Sequence, residues 1–142
     1  MPEFDGSELD FWIGEWDVSW GSAGRGTNRI ERTLGGHVLH ERFEGRDETN
    51  GLVGESWSVF DPKRRLWRQT WVDDQGGYLD LVGGRVDEAF AFERAAPEVG
   101  PAARQRMVFR EVTPTAFRWT WEASPDGGGT WQVRWEIAYR RS

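Results

Sequence analysis

Trp131-Gln132-Val133-Arg134-Trp135-Glu136-Ile137-Ala138-Tyr139 alternates large apolar side chains with mostly polar ones along its whole length. A helix would scatter such residues around its circumference, whereas a strand sends every second side chain to the same side. Trp131, Val133, Trp135, Ile137 and Tyr139 are therefore expected on one face of a long β-strand. The same period recurs upstream. Trp16, Val18 and Trp20 share a parity, as do Leu39, Glu41 and Phe43, then Trp67, Gln69, Trp71 and Asp73. Phe90 pairs with Phe92, Met107 with Phe109, and Phe117 with Trp119 and Trp121.

Turn chemistry separates these runs. Gly21 to Gly26, Gly35-Gly36, Asp47 to Gly51, Asp61-Pro62, Asp73 to Gly77, Gly83-Gly84, Ala95 to Pro101, Thr113-Pro114 and Ser124 to Gly129 are rich in residues that favour chain reversal. Many short strands joined by short turns predict an antiparallel meander. An open sheet of about ten strands exposes two edges, and closure removes them. The expected fold is an all-β, closed, antiparallel up-and-down barrel of about ten strands, forming one domain over residues 1–142. Ser7 to Trp12 is expected to form one short helical turn, N-capped by Ser7, that plugs one end.

Composition narrows the function. The chain has 142 residues, with Lys+Arg 18 against Asp+Glu 24 and a net charge of −6. That balance disfavours non-specific nucleic-acid binding. Cysteine is absent, which removes disulfides and thiolate chemistry. Lys63, the only lysine, sits in a turn with Arg64 and Arg65, so Schiff-base chemistry is not expected. No apolar run approaches a membrane span, and the acidic N-terminus is unlike a secretory signal. The expectation is a cytoplasmic protein with no membrane partner. Trp 10, Phe 8 and Tyr 2 supply a large apolar area, and so many indoles suggest self-association as a homodimer.

Phe11-Trp12-Ile13-Gly14-Glu15-Trp16-Asp17-Val18 contains a Gly-x-Trp element at the start of the first strand. It resembles the opening motif of lipocalins and nitrobindin-like barrels. With Gly26 to Glu31, Leu34-Gly35-Gly36, Asp61-Pro62, Trp67 to Asp73 and Tyr139-Arg140-Arg141, the chain resembles a bacterial lipocalin-like (calycin-type) family catalogued as a domain of unknown function. The resemblance implies a barrel in which Trp16 packs near Arg140 or Arg141. Nitrobindin-like relatives hold haem through a His near the C-terminal end, whereas no His follows His40 here. No cofactor is therefore expected. Ser124 to Trp131 also looks like the Asp-box of sialidase propellers, a structural hairpin in those proteins.

Candidate chemistry is sparse. His37 and His40 lie three apart, so on a strand they face opposite ways and make poor joint metal ligands; no metal is expected. His37 shares the parity of Leu39, Glu41 and Phe43, which places His37 and Glu41 inside the barrel. Trp67, Gln69, Trp71 and Asp73 form the most informative wall: two flat indoles with a donor and acceptor between them. Asp73 serves either this wall or the cap of the turn after it. Asn28 and Ser56 complete the expected ligand-binding set. Glu41, Glu55 and Asp73 are the candidate buried carboxylates, whose pKa an apolar cavity would raise. Arg29, Glu31, Arg118, Glu122, Arg134 and Glu136 are expected as ion pairs on the solvent face. No Gly-x-Ser-x-Gly, P-loop, dinucleotide or His-Glu-x-x-His pattern occurs. The expected function is binding of a small apolar or aromatic molecule against Trp67 and Trp71. The alternative is a cofactor-independent isomerase, cyclase or small hydrolase, with His37 or Glu41 moving a proton and Gln69 holding a carbonyl oxygen. A third reading has the barrel filled by its own indoles, as a scaffold or subunit interface.

Overall fold

In the computed structural model ten antiparallel strands follow one another around a closed barrel, and the last returns to pair with the first. The structure describes residues 4–46 and 51–142, so the turn expected over Asp47 to Gly51 lies almost wholly outside the described residues. The strands are β1 (Gly14–Trp20), β2 (Gly24–Thr33), β3 (Val38–Arg46), β4 (Val53–Asp61), β5 (Leu66–Asp73), β6 (Tyr78–Val86), β7 (Ala89–Ala95), β8 (Arg104–Arg110), β9 (Ala116–Ser124) and β10 (Gln132–Arg141). Closure pairs Val18 with Tyr139 and Trp16 with Arg141. Short polar turns fix the register. Asp61 Oδ1 accepts the amides of Lys63 and Arg64, and Asp126 accepts the Thr130 amide and hydroxyl in the Ser124–Trp131 hairpin.

One end of the barrel is solid. The N-terminal segment crosses it, with a 3₁₀ turn at Asp10–Trp12. Ser7 does not cap that turn with its side chain. Its hydroxyl donates to Asp5 instead (2.6 Å), and Leu9, two residues later, holds the N-cap position. Phe4, Leu9, Trp12 and Trp16 are buried there against Phe109 and Phe117. Trp16 stacks edge-on to Phe117, with ring centroids 4.9 Å apart, and carries the Arg141 guanidinium 4.2 Å from its ring centre. Arg141 then donates to the carbonyls of Phe11 and Ile13, tying the plug to the last strand. Of the two candidate partners for Trp16, Arg141 makes this contact.

The opening run is split by a bulge. Val133 pairs with Glu122, yet Trp135 pairs with Trp121, so Arg134 is an extra residue on β10. A bulge reverses the facing of everything beyond it. Trp135, Ile137 and Tyr139 point inward as expected, but Val133 is exposed and Trp131 lies outside, under the Arg106 guanidinium at 3.8 Å. Glu122 also departs from its expected exposure. It is 2% exposed, gripped by Arg106 and Arg110 at 2.8 Å each, with Thr120 donating to it. Burial pushes its carboxyl up, but the hydrogen bonds from Arg110, Thr120 and Arg106 outweigh that and leave the pKa below its ordinary value. Arg118 and Glu136 do form the expected outer pair. Among the described residues no helix is long and apolar enough to cross a membrane.

Candidate functional site

The end opposite the plug holds a cavity of about 230 Å³. Its walls are indoles and aliphatic side chains from strands all round the barrel. Trp71 comes from β5, Trp119 and Trp121 from β9, and Trp135 from β10, with Phe43 and Met107 between them. Trp119 and Trp135 meet edge to face at 5.8 Å, and Phe43 packs against both Trp135 (6.0 Å) and Trp71 (6.4 Å). The four cavity indoles are only partly buried, unlike those of the plug. Gly54 makes room for one of them. A Cβ there would lie 2.2 Å from Trp71, so only glycine lets that indole lie flat on β4.

Besides the indoles, two polar side chains line this apolar space, Glu41 and Tyr139, and Trp12 forms part of its floor. Glu41 lies on the inner face of β3, 7% exposed. Ser56 of β4 donates to its Oε1 (2.6 Å), and the Asn28 amide of β2 donates to its Oε2 (2.7 Å) and to the Tyr139 hydroxyl (2.9 Å). Both amide hydrogens of Asn28 are thereby used. Its Oδ1 is buried with no hydrogen-bond partner among the described residues, as is the Trp12 indole N–H on the cavity floor. Turning the Asn28 amide over would orphan two donors in place of one acceptor, so the assigned orientation is the better one. Burial pushes the Glu41 pKa above its ordinary value, although the Ser56 and Asn28 hydrogen bonds pull against it. Burial, and then the Glu41 charge, push the Tyr139 hydroxyl well up too.

The expected wall on β5 faces inward as alternation requires, but it does not act as one surface. A strand climbs about 3.3 Å per residue, so Trp67 and Trp71 sit roughly 13 Å apart along β5. Trp67 belongs to the plug, where its N–H donates to Glu8 (2.8 Å) and its ring packs on Phe60 and Phe90. Gln69 is buried at mid-height and donates to Ser58, its Oε1 unpaired among the described residues. Neither lines the cavity. Trp71 does, and Asp73 holds it there, accepting its N–H at 2.9 Å together with the amides of Gln75 and Gly77. Partial burial pushes the Asp73 carboxyl up, but these hydrogen bonds prevail and its pKa falls below the ordinary value. Asp73 is thus a turn cap and indole clamp. Asn28 and Ser56 reach the site through Glu41.

His37 corrects the expectation. It is exposed, outside the barrel, at the end of the Leu34–Gly36 turn. Gly35 and Gly36 adopt positive φ there, and β3 begins only at Val38, so the strand's alternation does not extend back to His37. His40 and Glu55 are also on the outer face, bonded to each other at 2.6 Å, with His40 stacked on Trp57. Among the described residues no group of three or more His, Asp or Glu gathers as a metal site.

Sequence reading missed Trp12, Trp119, Trp121, Trp135 and Tyr139 as cavity residues. Four of them sit in alternating runs whose inward parity was legible. What the sequence lacks is the height of each strand relative to Trp71. Neither the family models nor the curated proteins compared with this chain include a match to it.

Proposed function

We propose that this barrel binds one small, largely apolar, ring-containing molecule in the cavity opposite the plug, and that it is a member of the lipocalin-like class. The observation that carries the reading is a concave aromatic space with a hydrogen-bonded carboxyl group, Glu41, on its inner wall. Ligand sites are typically apolar with a few placed polar groups. An apolar cavity of about 150 Å³ accepts benzene, so about 230 Å³ suits one or two fused rings. The Trp16–Arg141 contact supports the class. The test is a panel of one- and two-ring compounds followed by intrinsic Trp fluorescence and thermal shift. At least one compound should quench and stabilise the wild type, and Trp121→Ala should weaken both effects. A panel that moves neither signal removes the proposal.

A second reading draws on the raised pKa of Glu41. A carboxyl whose pKa burial raises can donate a proton and take it back, beside the Tyr139 hydroxyl. It would make the barrel a cofactor-independent isomerase or cyclase with Glu41 as its acid and base. Once a ligand is found, turnover that survives intact in Glu41→Gln excludes this reading.

A further inference from the structure

We infer that the ligand of this cavity is an organic cation, a compact ring system bearing a protonated or quaternary nitrogen that docks on Glu41. The inference deepens the binding reading above and rests on it. Glu41 is the sole acidic side chain on the cavity wall, and no arginine, lysine or histidine lines that wall among the described residues. Arg106 and Arg110, which neutralise the other buried glutamate, sit on the outer face of the sheet.

The hydrogen-bond directions agree with a carboxylate awaiting a cation. Ser56 and Asn28 both donate to Glu41, one to each oxygen, which fixes the plane of the group and leaves its remaining lone pairs free. Their arrangement suits the acceptor-only, ionised form. Burying that form without a counter-charge is costly, and burial raises the Glu41 pKa. A bound ammonium supplies the missing charge. Trp71, Trp119, Trp121, Trp135 and Phe43 supply the rest, because a cation is attracted to aromatic faces and most of all to indole. A neutral apolar ligand would use the rings but leave Glu41 with nothing to do.

The groups that bear on Glu41 come from four strands. Tyr139 faces it from β10, Asn28 from β2 and Ser56 from β4, while His40, its neighbour on β3, lies on the outer face against Glu55. Among the inward ones only Tyr139 ionises, and its pKa is pushed further up, away from neutral pH.

The experiment pairs two probes that differ in charge alone, 2-phenylethylamine and 2-phenylethanol, titrated calorimetrically into wild type and Glu41→Gln. The amine should bind wild type roughly tenfold or more tightly than the alcohol, and the preference should vanish in Glu41→Gln. Wild type is also titrated from about pH 5 to about pH 8, where an alkylammonium, with a pKa near the lysine value of about 10.4, stays charged. Amine affinity should rise with pH as Glu41 ionises, and alcohol affinity should stay level. A His40→Gln background removes the outer histidine from that profile. The comparison of the two probes on wild type decides the matter even if Glu41→Gln fails to fold. Equal affinity for the two probes overturns the cation and leaves the cavity reading standing. Amine binding that ignores both pH and Glu41→Gln, or binding of neither probe, overturns it as well.

Discussion

The two ends of the barrel are built from the same residue types and behave differently. At the plugged end Trp12, Trp16 and Trp67 are buried at 1–3% exposure. Two of their N–H groups are satisfied, Trp16 by the Trp12 carbonyl and Trp67 by Glu8. Phenylalanines fill the space between them at edge-to-face distances of about 5–6 Å. At the other end Trp71, Trp119, Trp121 and Trp135 stay half-buried around a cavity. Ten strands enclose more volume than one layer of side chains fills. The N-terminal segment supplies the missing filling at one end, and none of the described residues does so at the other. An indole can thus be mortar or wall, and what decides is whether another chain segment reaches it.

The largest effect expected from this difference is on stability. Trp16→Ala removes a buried indole that supports both Phe117 and Arg141, and should cost about 3–5 kcal/mol. Trp121→Ala removes a half-exposed ring beside an existing cavity and should cost about 1 kcal/mol. Urea denaturation of the two variants makes the comparison. Equal losses would mean that the cavity end is packed as tightly as the plug.

Gly54→Ala sharpens the contrast from the cavity side. Its backbone does not need positive φ, so the strain comes only from the Cβ that meets Trp71. The indole must swing away and break its bond to Asp73, at a cost of about 1–3 kcal/mol. Ligand affinity should fall with it. Unchanged affinity and stability would show that the Trp71 position is not fixed by β4.

The fold was legible because alternation is a local signal that survives in every strand. Trp16, Val18, Leu39, Glu41, Phe43, Ile137 and Tyr139 all face inward as parity predicts. Two local events broke it. The Arg134 bulge turned Trp131 and Val133 outward, and the glycine turn before Val38 left His37 outside. The site was half legible. Glu41, Asn28, Ser56 and Trp71 come together, but their grouping with Trp119, Trp121 and Trp135 depends on the stagger of strands around the closed barrel. No short stretch of sequence encodes that stagger. Trp67 and Gln69 show the same gap, since sharing a face says nothing about sharing a depth.

A smaller effect with a defined sign comes from Glu41. Its folded pKa lies above the unfolded one, so native protein holds the proton more firmly. The associated stability is fully present below the unfolded pKa and is lost as pH rises through the folded pKa. Glu41→Gln removes that loss, its amide oxygen accepting from Asn28 and its amide nitrogen donating to the Ser56 hydroxyl. Relative to wild type, Glu41→Gln should therefore gain stability between about pH 4 and about pH 7. Paired denaturation curves at the two pH values measure it. A difference between the two proteins that does not change with pH would show that Glu41 reaches water and is not desolvated.

The smallest effect belongs to His37. It is exposed, makes no bond to the Glu41 cluster, and follows a turn set by Gly35 and Gly36. His37→Ala should change stability by less than about 0.5 kcal/mol, and should leave both ligand affinity and any turnover unchanged. The comparison with Glu41 is informative because the two residues are four apart with the same parity and would share the inner face if β3 began one residue earlier. A loss of binding in His37→Ala would mean that ligands engage the outer rim of the β2–β3 connection, at the plugged end. The functional site would then lie beside the solid half of the barrel, and the cavity lined by Trp71 and Trp135 would be a packing defect.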